Sequence, residues 1–199
     1  MSASLDDSTI SDASDVGSEV EIENDSQEGF DLETDAQIAD GVGSLQEMPE
    51  LTSDGWEALD ASERLNALQE CENRLSEVQG RPGLPVNGID LPSNQYGYYD
   101  GESIFVNTNH IEGPDQQPVG EMVDTIVHEG RHAYQDYATK NPGFLDNTEV
   151  VESWQDNFDN YLDASIVGQE AYEQQPVEAD ARNFAGQIRN GLYGGDTNE

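Results

Sequence analysis

The sequence predicts an α+β domain in which a small antiparallel hairpin packs on a histidine-bearing helix among further helices, behind a disordered acidic tail. Three observations carry that prediction. Residues 119–138, VGEMVDTIVHEGRHAYQDYA, place Val119, Met122, Val123, Ile126, Val127, Ala133, Tyr134 and Tyr137 at three- and four-residue steps, the period of an amphipathic helix. Residues 96–107 run from Tyr96-Gly97-Tyr98-Tyr99 through Asp100-Gly101 to Ser103-Ile104-Phe105-Val106-Asn107, two β-prone runs joined by a hairpin turn pair. The first fifty residues hold no lysine or arginine and few aromatics, too little apolar surface to offset the entropy of ordering. They read as a disordered tail, 1–50, ahead of a folded domain, 51–195.

Each further element has its own signals. Over residues 56–79, Asp60 and Glu63 stand at capping-box spacing, and Leu65, Leu68, Cys71, Leu75 and Val78 follow at helical steps until Gly80 and Pro82. Trp56 and Leu59 are expected to fold back on the start of that helix. Residues 81–94, rich in proline and glycine, read as a turning connection with Val86, Ile89 and Leu91 as strand contacts. Pro118 opens the central helix, where a missing N–H costs nothing. Beyond Asn141-Pro142-Gly143, the residues Val150, Val151, Trp154, Phe158, Tyr161 and Leu162 predict an amphipathic helix capped through Asp146 and Glu149. A shorter helix over 166–173 stops before Pro176. The last helix, 177–190, carries Val177, Ala181, Phe184, Ala185 and Ile188 on one stripe, with Gly191 as its stop.

Composition narrows the function. The chain of 199 residues has 43 acidic against 7 basic side chains, a formal charge of −36, and Lys140 is its one lysine. That field repels nucleic acid phosphates and anionic membranes, so no nucleic acid and no membrane is expected as a partner. Acid-rich, lysine-poor composition resembles that of proteins from salt-in halophiles, where salt screens the self-repulsion. There is no basic n-region with an apolar h-region, and no apolar run near the length of a membrane span. The expectation is a cytoplasmic protein, with export by a route lacking a cleavable signal left open. Cys71, the only cysteine, lies between Leu68 and Leu75 on a helix face and reads as a small buried hydrophobe.

The chemistry lies in HEGRH at 128–132. At 3.6 residues per turn, His128 and His132 project from one helix face, and two neutral imidazoles so placed can bind one zinc ion. Glu129, beside the first of them, can reach a water on that metal and act as general base. A catalytic zinc takes three protein ligands and leaves the fourth position to water. Glu178 is assigned as the third. It shares the edge of an apolar stripe with Ala181 and Ala185, small residues that let another helix approach, and Gly130 is the matching small site. A carboxylate there is costly to bury unless paired or metal-bound. Asp136, one turn past His132, and His110 are the other ligand choices. Asp124, Asp136 and Asp180 are candidates to orient an imidazole, Asp180 alternatively to pair with Arg131. Tyr134, Tyr172, Arg131 and His110 are candidates to stabilise an oxyanion.

The HEGRH array resembles the zincin superfamily of metallopeptidases. The stretch EADARNFA at 178–185 resembles the second metal helix of gluzincin-type peptidases, especially the ImmA/IrrE group, in which a hairpin ending in a strand like Ile104 to Asn107 also precedes the metal helix. A second resemblance, to peptidase toxin domains of bacterial polymorphic toxins, rests on HEGRHAYQ at 128–135 and QPVEADA at 175–181. The likeness implies a zincin-like fold, a zinc cofactor on His128, His132 and Glu178, Glu129 as catalytic base, and a protein or peptide substrate. In zincins the sheet edge above the metal helix commonly holds an extended peptide by backbone pairing, a task this hairpin would perform. Ala138 stands where a metzincin has its third histidine, so that subclass is excluded. The competing reading is a zinc-binding interaction or regulatory module without turnover.

Overall fold

Helical periods occupy most of the sequence, and the structure, a computed structural model describing residues 17–194, is α+β and mostly helical with one small sheet. In chain order the elements are α1 (Gly17–Gln46), a 3-10 turn (Pro49–Leu51), α2 (Ser53–Ala58), α3 (Ala61–Val78), β1 (Val86–Ile89), β2 (Gly97–Tyr99) and β3 (Ile104–Asn107). They continue with α4 (Thr108–Ile111), α5 (Val119–Lys140), α6 (Thr148–Asp159), α7 (Ala164–Val167), α8 (Gln169–Glu173) and α9 (Pro176–Tyr193).

The helix α5 is the axis of the packing. Met122, Val123, Ile126 and Val127 face the main core with Leu68, Leu75, Ile104, Val106, Phe184 and Ile188 from α3, β3 and α9. One side further on, Tyr134 and Ala138 join Leu145, Trp154 and Val177 in a smaller cluster under α6. Its most extensive partner is α9. The α3 helix starts on the predicted capping box: the Asp60 carboxylate accepts from the Glu63 N–H, and the Glu63 side chain from the Asp60 N–H, both at 2.9 Å. Cys71 is fully buried in the main core, as its neighbours foretold.

The predicted hairpin is present. Asp100 Oδ1 accepts from the N–H groups of Glu102 and Ser103, and Gly101 takes a positive φ of 99° that a side chain would resist. The sheet, however, is mixed rather than antiparallel throughout. Its order is β1-β3-β2, with β1 parallel to β3 and β2 antiparallel to it. That leaves β2 as an edge. Tyr96 O accepts from Asn107 N–H, and Asp100 N–H donates to Ser103 O, so the even-numbered peptide groups turn towards β3. By the alternation of an antiparallel ladder, those of Gly97 and Tyr99 face outward.

Several expectations are corrected. Part of the segment read as a tail is folded: α1 covers Gly17–Gln46, Leu45 and Met48 belong to the main core, and Ile38 and Val42 pack against it. The domain therefore begins upstream of residue 51, while residues 1–16 lie outside the described residues. The α1 helix docks because it is small where it must be. A Cβ on Gly41 would meet Ile188 Cδ1 at 2.8 Å, and one on Gly191 would meet Val42 Cγ2 at 2.5 Å. Gly191 is thus no helix stop: α9 runs on to Tyr193, and this glycine admits α1 to its surface. Asn147, not Asp146 or Glu149, caps α6, its side chain accepting from Val150 N–H at 3.1 Å. That helix ends at Asp159, so Tyr161 and Leu162 leave its apolar face. The 166–173 helix is two short ones parted by Gly168 at φ 84°. No helix among the described residues is long and apolar enough to cross a membrane.

Candidate metal centre

The first turn of α9 is clamped from two sides, and this brings Glu178 to α5. Asn157 of α6 accepts from Val177 N–H at 3.1 Å, and Gln135 of α5 donates to Val177 O at 2.9 Å. Ala181 and Ala185, both buried, allow the approach. Gly130 has a different task from the one expected. It faces α3, where a Cβ would lie 3.0 Å from both Arg81 Nη2 and Glu72 Oε2, a fully buried ion pair that runs beneath the metal-motif helix.

Three side chains converge as a result. His128 Nε2 and His132 Nε2 stand 3.1 Å apart, Glu178 Oε2 lies 3.4 Å from the first and Glu178 Oε1 3.4 Å from the second. A tetrahedral ion with bonds of about 2.0–2.1 Å spaces its ligand atoms ~3.3–3.4 Å apart. The contacts are of that size, each Glu178 oxygen facing one imidazole, and one donor atom from each residue lies within 4.8 Å of the other two. Glu178 is only 1% exposed, and its Oε2 is buried without a hydrogen bond, a lone pair set out for a cation. These residues form a group that could hold a metal ion.

The His132 tautomer is decided by its neighbours. Gln135 Nε2 donates to Val177 O and to Asp180 Oδ2 at 2.7 Å, which fixes Gln135 Oε1 as an acceptor facing His132 Nδ1 at 2.9 Å. Nδ1 therefore carries the proton, and the Nε2 lone pair is free for a metal. Behind Gln135, Asp180 binds Arg131 through Nε and Nη2 at 2.8 and 3.0 Å, and Arg131 Nη1 donates to Gln37 Oε1 of α1 at 3.0 Å. Arg131 is wholly buried among the rings of Tyr134, Phe184 and Trp154. Charge is shared within the group. Burial disfavours a protonated His132, yet Glu178 with Glu129 nearby outweighs this and holds its pKa above the ordinary value. Burial would likewise raise Glu178, but the two imidazoles hold its carboxyl well below the usual range.

A cleft of about 860 Å³ includes the triad and is lined by β2 with Asn94, Gln95 and Tyr96 and by Phe158, Tyr161, Tyr172 and Arg182. Glu129 lines it and has no hydrogen bond or ion pair among the described residues. The hydroxyls of Tyr161 and Tyr172 both reach Glu178 Oε1, Tyr172 at 2.8 Å. Burial pushes the Tyr172 pKa up to about 12 and raises that of Tyr161 further, so both remain donors.

The remaining candidates separate cleanly. Asp136 accepts from Tyr99 Oη and Lys140 Nζ, at 2.8 and 2.7 Å, and is not in the triad. His110 is buried on α4 away from the triad, its Nε2 3.1 Å from Ser93 O, its ring against Tyr96. Arg131 and Tyr134 are buried and engaged elsewhere, Tyr134 Oη accepting from Gln37 Nε2. Asp180 does pair with Arg131, and it also steadies Gln135. Asp124 lines the cleft but bonds to no imidazole. Gln135, Gln37 and Tyr161 escaped the sequence reading. Comparison with family models, curated proteins and solved structures returns no match to this chain.

Proposed function

We propose that the protein is a zinc-dependent metallopeptidase of zincin-like architecture, with His128, His132 and Glu178 as ligands and Glu129 as general base. The observation that carries the reading is the convergence of two imidazole nitrogens 3.1 Å apart with the Glu178 carboxylate, one oxygen 3.4 Å from each, in a cleft that also holds an uncommitted carboxylate. Two imidazoles and a carboxylate are a set that zinc favours in hydrolytic sites. Bound zinc supplies Lewis acidity and makes a coordinated water acidic near neutrality.

The chain's residues do the rest. The outward N–H and C=O groups of Gly97 and Tyr99 pair with an extended peptide laid along β2 and set its carbonyl over the triad. Glu129 takes a proton from the attacking water as the C–O bond forms, then delivers it to the amine as the C–N bond breaks. Tyr161 and Tyr172, whose hydroxyls rest on Glu178 Oε1, are the neutral donors that would turn to the carbonyl oxygen as it gains charge.

Two variants test this. Glu129→Gln should keep near 1:1 zinc by elemental analysis and lose peptidase rate by at least the 10²–10⁴-fold that general-base assistance supplies. Glu178→Ala should lose zinc itself, since one of three protein ligands is gone. Full zinc in Glu178→Ala would reject the ligand set. Zinc binding by the wild-type chain with no turnover on any peptide or unfolded protein would leave a zinc-binding module in place of an enzyme.

A further inference from the structure

We propose that Asp124 is the floor of a cation-binding subsite that selects a lysine or arginine side chain beside the bond cleaved, an inference that rests on the peptidase reading above. Asp124 lies one turn before His128 on α5, so it shares the face of the ligand histidines and lines the same cleft. Its carboxylate is half-buried and has no hydrogen bond or ion pair among the described residues. The nearest cations are committed: Arg189 to Glu121, Arg182 to Glu173 and Glu178. Burial pushes its carboxyl above the ordinary range despite them.

Each other acid in the cleft is accounted for. Glu178 faces the imidazoles, Glu121 holds Arg189, and Glu129 serves as base. Asp124 is half-withdrawn from water with no directly bonded partner, and the charges of Arg189, His128 and Arg182 offset its burial only in part, a cost relieved when a cation enters. The rest of the pocket suits a long cationic side chain. Phe158 and Tyr161 line the same cleft, and the alkyl stem of lysine or arginine packs well on apolar ring surface while its head reaches a carboxylate. Thr125, next to Asp124, adds no charge. The field of the whole chain also attracts cations, but that attraction does not depend on residue 124.

The test uses the zinc-loaded full chain at one fixed ionic strength. Peptide pairs that differ only by lysine or norleucine at a single position, scanned along the peptide, are compared by kcat/KM in the wild type and in Asp124→Asn, an isosteric change. The same pairs are compared by calorimetric Kd in Glu129→Gln with and without Asp124→Asn, and Asp124→Ser serves as a second variant. Lysine should be favoured at one position by roughly 10- to 100-fold, the range of a hydrogen bond to a charged group. That ratio should fall towards one in both residue-124 variants. A ratio near one in the wild type overturns the proposal, and so does a ratio that survives Asp124→Asn, which assigns the preference to net charge. Selective binding without turnover would refute the peptidase reading and uphold the subsite. Turnover without selectivity would do the reverse.

Discussion

At the scale of single residues, the centre depends on neutral side chains as much as on charged ones. Gln135 has one carbonyl oxygen and one amide nitrogen, and both are used: the nitrogen on Val177 O and Asp180, the oxygen on His132 Nδ1. Replacing it by leucine leaves His132 free to adopt either tautomer and leaves Asp180 short of a donor. Gln135→Leu should therefore weaken zinc binding by about 10–100-fold, the usual cost of losing the partner of a metal-bound imidazole. Competition with a chromophoric chelator reads this directly. Gln135→Glu keeps an acceptor for Nδ1 but turns a carboxylate oxygen on Val177 O and Asp180, so it should recover affinity only in part if tautomer control is the cause, whereas a packing defect would not recover at all. The sequence made His128, Glu129 and His132 legible because a four-residue spacing on a helix is a local signal. Glu178 was legible through the cost of an acid beside buried alanines. Gln135 was not, since a glutamine at a helical step is equally at home in solvent, and Tyr161 was not, since its apolar ring extended a pattern that the chain ends at Asp159.

Among the elements, those with an internal period were readable and those defined by a distant partner were not. The helices α3, α5, α6 and α9 repeat apolar residues at helical steps, and the β2–β3 turn announces itself through Asp100-Gly101. Parallel pairing of β1 with β3 has no adjoining turn to signal it. Nine of the thirty residues of α1 are acidic, and among the described side chains Ile38, Val42 and Leu45 near its end mark the face that packs. Its docking is set by the absence of side chains at Gly41 and Gly191. Gly191→Ala should push Val42 away and destabilise the fold by about 1–3 kcal/mol, the common cost of overpacking. Val42→Ala in the same chain should restore part of that loss. A double-mutant cycle from urea unfolding measures the coupling, and additive losses would show that the two helices do not meet there.

On the scale of the whole molecule, the charge of −36 is the dominant fact, and every cation is already spoken for. Arg64 donates to the carbonyls of Trp56 and Ile111, while Arg74, Arg81, Arg131, Lys140, Arg182 and Arg189 each face a carboxylate. The acids left over repel one another, and only mobile ions relieve them. Melting temperature should rise from low to molar KCl; a flat or falling curve would contradict the halophile-like reading of the composition. Lys140 is 64% exposed at its side chain and stands at the C-terminal end of α5, just before the turn that leads to α6. An endoproteinase specific for lysine thus has a single place to cut in the chain. Its two fragments would carry His128 and His132 on one piece and Glu178 on the other, so a nicked molecule could keep its centre only for as long as α5 and α9 held together without a covalent link.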